Sequence, residues 1–198
     1  MPGSRFYRAG VRVAVALCGA GLVTACAARY SQLPPRVDLQ PYGKVALVTF
    51  SARQADSGVT ALATEQFAEA VLASSRGIEL VELPSADSLT ALSARGVPAV
   101  FVGQIAVSDV KPRGQVAPYG VNVRAAVSTE LSVRLVSTST GGTLWRSSAV
   151  RSGSLGRVNL AGGLPSISVR DRDEAYGEMV RSLVADVTRD FRGTRVRE

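Results

Sequence analysis

Ser108 and Lys111 stand three residues apart, the spacing of the serine and lysine in the S-x-x-K motif of penicillin-recognising enzymes. That chemistry needs a helix, which brings positions i and i+3 to one face. Here the pair ends the apolar run AVFVGQIAVSDV (99–110), which reads as a strand, where i and i+3 point to opposite faces. No K-T-G or S-D-N partner accompanies it. The densest acidic group, Asp171, Asp173, Glu174 and Glu178, could supply a glycosidase carboxylate pair. It also sits where a helix begins, and acids are favoured there by the helix dipole. Gly141-Gly142 and Gly162-Gly163 are turn glycines, because no G-x-x-x-x-G-K-[ST] or G-x-G-x-x-G sequence follows a strand. The chain has no histidine, which removes most zinc sites and every histidine-dependent triad or dyad. The expectation is a protein that is not an enzyme and holds no metal and no cofactor.

The remaining residue with a chemical opportunity is Cys26, in Val23-Thr24-Ala25-Cys26. Arg5, Arg8 and Arg12 followed by VAVALCGAGLV form the charged and apolar parts of an export signal. A thiol after small residues at its end has the form of a bacterial lipobox, in which the cysteine takes a diacylglycerol before the chain is cut in front of it. Ala25-Cys26-Ala27 also satisfies the A-x-A rule, and cleavage after Ala27 would leave a soluble periplasmic protein. Cysteine usage favours lipidation: the only other cysteine, Cys18, lies inside the signal, so no disulfide frame is available to the mature domain. Ala27 stands where an aspartate would resemble an inner-membrane retention signal, so in a two-membrane bacterium the expected address is the periplasmic face of the outer membrane.

The formal net charge of +7 falls when Arg5, Arg8 and Arg12 leave with the signal, which leaves 20 basic against 16 acidic residues. Lys44 and Lys111 are the only lysines and the arginines are scattered, which reads as a solvated surface and not as a nucleic-acid site. Trp145, the sole tryptophan, suits a partner contact and a place in the core equally, and the arginines of the tail, Arg192, Arg195 and Arg197, are candidate contacts with a partner or anionic lipid that also fit a solvated chain end.

The elements that must carry these residues divide the chain into a signal (1–25), a lipidated cysteine with a proline-containing tether (26–42), one domain (43–192) and a basic tail (193–198). KVALVTF (44–50) is a short β-branched run suited to a strand buried on both faces. Val59, Leu62, Ala63, Phe67, Ala70 and Val71 make a helical stripe stopped at Gly77. IELVEL is a second strand, followed by a short helix with Ser85 as its cap. A loop with Pro112, Gly114, Pro118 and Gly120 leads to a strict alternation from Val121 to Leu135, one face apolar and one polar, and TLWRSSAV returns as its hairpin partner. GSLGRVNLAGGLPSISV reads as irregular, with room for one short strand. Tyr176, Met179, Val180, Leu183, Val184, Val187 and Phe191 form a last helical stripe, with Asp171 and Glu174 at capping-box spacing. The expected fold is α/β, a single mixed sheet of about five strands in the order β-α-β-α-β-β-β-α with three helices.

KVALVTF, GVPAVFVGQI and LSVRLVSTSTGGTLWRS, in this order of elements, resemble a group of envelope proteins. It includes the curli-secretion channel lipoprotein, the N-terminal domain of the Tol-system propeller protein and lipoproteins that activate penicillin-binding proteins. The resemblance covers about residues 44 to 191 and rests on structural punctuation. It implies a non-enzymatic, outer-membrane-anchored lipoprotein, held by lipid on Cys26, that serves as an adaptor or assembly factor for a periplasmic or outer-membrane protein. The alternative is a subunit of an oligomeric curli-type secretion pore. A pore strand needs about 9 to 11 residues alternating apolar and polar, which Val121 to Leu135 supplies, but Arg146 and Arg151 fall on opposite parities of the returning strand and leave neither of its faces fit for lipid.

Overall fold

Non-local pairing of apolar strands sets the architecture. The computed structural model describes residues 30–85, 88–117, 120–161 and 164–197. The elements are β1 (Tyr30–Leu33), β2 (Lys44–Val48), β3 (Ser51–Arg53), α1 (Ser57–Ser74), β4 (Glu79–Leu83), α2 (Leu89–Ala94), β5 (Ala99–Val107), β6 (Lys111–Ala117), β7 (Gly120–Ser137), β8 (Thr143–Ala161), β9 (Leu164–Val169), α3 (Arg172–Val187) and β10 (Thr194–Arg197). Eight strands form the main sheet in the order β4-β2-β5-β7-β8-β9, with β3 added to β5 and β6 to β7. β2, β3, β4 and β5 pair in parallel, and every neighbour from β5 onward is antiparallel.

The mixed sheet and the three helices are as expected, but eight strands replace the expected five or so. Three additions account for the difference. Pro112 and Gly114 lie in β6, which pairs with β7 on one side; an edge strand tolerates proline because its ladder is one-sided. The stretch expected to be irregular continues β8 to Ala161 and folds back as β9. Ser51–Arg53 adds a short strand beside β5. The cap of α2 also moves: Ser88 accepts from the Ala91 backbone N–H at 3.2 Å, directly before the apolar residues of the helix.

One face of the sheet carries α1 and α3. Asp56 caps α1, its Oδ1 accepting from Val59 N–H at 2.8 Å, and Asp171 caps α3 by accepting from Asp173 and Glu174 N–H. Each cap is worth about 1 kcal/mol. The stripes of Val59, Ala63, Phe67 and Val71 on α1, and Tyr176, Met179, Val180, Leu183 and Val184 on α3, pack on Phe101, Ile105, Leu131, Val133 and Leu135. A run of aromatic rings crosses this core, from Phe50 to Phe67 to Phe101 and on to Trp145 and Phe191, with centroids 4.6 to 6.2 Å apart. The opposite face holds a smaller cluster of Ala46, Val48, Leu92, Val97, Val100 and Val136 under α2.

Two glycines permit close approach. Gly103 lies under the Phe50 ring, where an added Cβ would stand 2.4 Å from Cε1. At Gly153 an added Cβ would stand 2.8 Å from the Met179 sulfur, so this glycine lets α3 settle on β8.

Tyr30–Leu33 and Thr194–Arg197 form a separate two-stranded antiparallel ribbon, with Tyr30 opposite Arg197 and Gln32 opposite Arg195. The spans expected as tether and basic tail thus contain paired segments.

Candidate interaction surface

β7 and β8 are 18 and 19 residues long, and the helical layer covers only part of them. At about 3.3 Å per residue β7 runs roughly 60 Å. Burial along its helix-side face holds from Leu135 to Val127 and then stops; Ala125 and Val123 continue the same face half-exposed. Beyond that point β6, β7, β8 and β9 form a four-stranded antiparallel extension.

Register fixes what each face of the extension presents. On the helix side, Ala125 pairs with Gly156 and Gly156 with Val169, while Val123 pairs with Val158 and Val158 with Ile167. With Val110 and Pro112 these residues line a shallow apolar groove. Ile167 and Val169 are 70% and 81% exposed, which is costly for β-branched side chains unless something covers them.

On the outer face, Arg113 stands opposite Arg124, Arg124 opposite Arg157, and Arg157 opposite Ser168. The next row contains Asn122, Asn159 and Ser166. The three arginines are exposed and make no ion pair among the described residues. Like charges directly opposite across strands repel. The Asn122 Oδ1 is buried without a hydrogen-bond partner among the described residues. The only acid that the strands from β5 to β9 contribute is Glu130, six residues and about 20 Å along β7 from Arg124. Helix-side basic residues, by contrast, are neutralised: Arg151 and Arg189 pair with Asp186, and Arg170 with Glu174 and Glu178.

A β-bulge decides this arrangement. Ala125 pairs with Gly156 but Ala126 with Ser154, so Leu155 is an extra residue in β8 and parity reverses beyond it. Simple alternation would place Arg157 with Arg151 on the helix side. The bulge puts it on the outer face instead. Arg146, opposite Arg134, is on the outer face and Arg151, opposite Thr129, on the helix side, as their parities require.

The residues singled out from sequence are dispersed. Cys26 and Gly162-Gly163 lie outside the described residues. Trp145 is a core residue, 8% exposed, with its Nε1 donating to Asp190 Oδ2 at 3.1 Å. Arg192 is exposed and donates to Thr188 Oγ1 at 2.8 Å, while Arg195 and Arg197 stand in β10. Ser108 follows β5, where its Oγ accepts from Ser128 N–H at 2.9 Å, and Lys111 opens β6. Of the acidic group at α3, Asp171 caps the helix and Glu174 and Glu178 pair with Arg170. The functional signal that alternation alone misses is the arginine row, because it needs the register of three strands. Among the described residues no helix is long and apolar enough to cross a membrane.

No family model matches the chain, and no curated protein matches it in sequence. Solved structures do. The PelC dodecamer from Paraburkholderia phytofirmans is similar at 18% identity and a TM-score of 0.51, over 83% of this chain and 96% of that one. Lipoprotein GNA1162 from Neisseria meningitidis is similar at 18% identity and a TM-score of 0.37, over 57% and 83%. The LpoB C-terminal domain from Salmonella enterica is similar at 17% identity and a TM-score of 0.34, over 55% and 82%. At this identity the likeness to the PelC chain is one of fold.

Proposed function

We propose that this chain is a non-enzymatic envelope lipoprotein, anchored by lipid on Cys26 to the periplasmic face of the outer membrane, that works by binding another protein through the distal sheet. The observation that carries this reading is the apolar side of the extension. Ile167 and Val169 are exposed on a rigid sheet, held out beyond the helical layer that covers the rest of that face. The absence of histidine and the placement of both cysteines at or before position 26 leave little for catalysis.

The anchor is tested by Cys26→Ser. The variant is expected to lose palmitate labelling and to move from the membrane fraction to the soluble periplasm, or to keep its signal uncut. Retained labelling together with retained sedimentation would refute the anchor. The docking role is tested by placing a photo-cross-linking residue at Val158, between Val123 and Ile167 on the groove side of the extension, in the full-length chain in cells. One discrete adduct with another envelope protein is expected, and Ile167→Asp with Val169→Asp should abolish it without lowering the melting temperature.

A second reading, a subunit of an oligomeric secretion pore of the curli-channel kind, is favoured by the two-sided character of the extension, apolar on one face and polar on the other, as a barrel wall is. The solved relative with the TM-score of 0.51 is itself a dodecamer. Against it, β6 and β9 have 7 and 6 residues, short of the roughly 9 to 11 that a bilayer-spanning strand needs. Adducts from Val158 only to further copies of this chain would favour the pore over the adaptor.

A further inference from the structure

From the outer face of the distal sheet, opposite the apolar groove, we infer a binding site for an acidic polysaccharide, built on the Arg113–Arg124–Arg157 row. Three guanidinium groups stand on directly opposed positions of adjacent strands, roughly 4.8 Å apart from strand to strand. A row of unneutralised like charges destabilises a sheet unless an anion sits on it. The nearest acids are Asp109, four residues or about 13 Å before Arg113 in the stretch leading into β6, and Glu130, about 20 Å along β7 from Arg124; both are beyond the reach of a direct pair and beyond a physiological Debye length of about 8 Å. Arginine presents planar, forked donors that suit the two oxygens of a carboxylate or the oxygens of a phosphate.

What surrounds the row selects among polyanions. One register step along the strands, about 7 Å, lie Asn122 and Asn159 with Ser166 beyond them, and Ser168 ends the arginine row itself. Amides and hydroxyls both donate and accept, which is what a chain of sugar hydroxyls needs. Single-stranded nucleic acid would call for aromatic side chains to stack on, and β6, β7 and β9 contain none, while the single aromatic of β8, Trp145, is buried. A lipid surface would call for apolar side chains beside the charges, but the valines and isoleucine that flank the row, Val123, Val158, Ile167 and Val169, are on the opposite face, and the exposed Val150 on this face is opposite Glu130, about 20 Å along the sheet. Charged groups without an apolar centre are likewise a poor protein interface. A hydroxyl-rich polyanion satisfies both rows. This site uses the face of the sheet that the protein-docking proposal leaves free, so each can fail without the other.

The test is calorimetric titration of the full-length chain in detergent micelles with a uronic-acid oligosaccharide (an alginate fragment), a neutral dextran of equal length, a single-stranded DNA oligomer and anionic phosphatidylglycerol vesicles. The alginate fragment is expected to bind, with affinity falling as salt rises, and dextran not to bind. Arg124→Gln with Arg157→Gln should weaken binding at least tenfold. Arg134→Gln with Arg146→Gln, farther along the same face, should change it less than twofold. The first pair should melt at or above the wild-type temperature, because it removes facing like charges. If that pair melts lower, Arg113→Gln on the edge strand replaces it, with an expected loss of about threefold. Unchanged affinity in the row variants, equal binding of dextran, tighter binding of DNA or vesicles, or no binding of the alginate fragment would each overturn the assignment.

Discussion

Gly103→Val is expected to leave little folded protein. Gly103 is in β5 directly opposite Val133, on the face covered by α1 and α3, and the Phe50 ring lies against its Cα. A Cβ at this position would meet Phe50 Cε1 at 2.4 Å, Cδ1 at 2.5 Å and Cγ at 3.0 Å, so the body of the ring, and not a movable end, is in the way. Phe50 cannot retreat cheaply. It is 3% exposed, its ring centroid is 5.3 Å from that of Phe67, and its backbone N–H is tied to Thr64 Oγ1 at 3.1 Å. Overpacking of this kind costs about 1–3 kcal/mol for a methyl, and valine adds two more carbons. Against a total stability of about 5–15 kcal/mol, Gly103→Ala should be clearly destabilised and Gly103→Val should fail to accumulate. Phe50→Leu should restore part of the loss in the Gly103→Ala background. A Gly103→Val chain that melts like the wild type would show that the ring does not occupy this position.

Val133→Arg is expected to cost about 4 kcal/mol, and Ser132→Arg within about 0.5 kcal/mol of nothing. The two residues are neighbours in β7 with opposite fates. Val133 is 1% exposed in the main core beside Leu131 and Leu135, whereas Ser132 is half-buried on the outer face between Gln104 and Ser148. A guanidinium at 133 would lose its water and find no carboxylate in that layer. For a domain of this size the first substitution should lower Tm by roughly 10 °C, the second by no more than about 2 °C. Equal melting curves would mean that the strand pairs one residue out of register, since a slip of one exchanges its two faces.

The contrast between those neighbours shows what was legible in the sequence. A half-buried antiparallel strand writes its parity into every second residue, so the core of β7 and the stripe of α3 can be read before any coordinate is known. β6 and β9 could not. On the helix side β6 carries Pro112 and Gly114 where a covered strand would repeat valine, and β9 offers only two β-branched residues there, Ile167 and Val169, within six residues that follow a glycine pair. The pairing of Tyr30–Leu33 with Thr194–Arg197 joins segments 161 or more residues apart, which no local pattern encodes. The same holds for the arginine row: its members come from three strands, and the third faces outward only because Leu155 is inserted into β8. Trp145 was open in the sequence for a different reason. A hairpin tryptophan can face either way, and here Phe101, Phe191 and Asp190 draw it inward.

That enclosure makes the molecule self-reporting. As the single tryptophan of the chain, Trp145 is the source of nearly all emission excited at long ultraviolet wavelengths, and its indole is wedged against Phe191 with centroids 4.6 Å apart. Phe191 belongs to the short turn that follows α3, and Asp190 in the same turn holds both the indole N–H and, at 3.5 Å, Arg36 from the stretch that precedes β2. The two ends of the larger folded unit therefore meet at one fluorophore. Detachment of either end should redden and dim its light before the sheet itself melts, so fraying can be followed optically without attaching a dye.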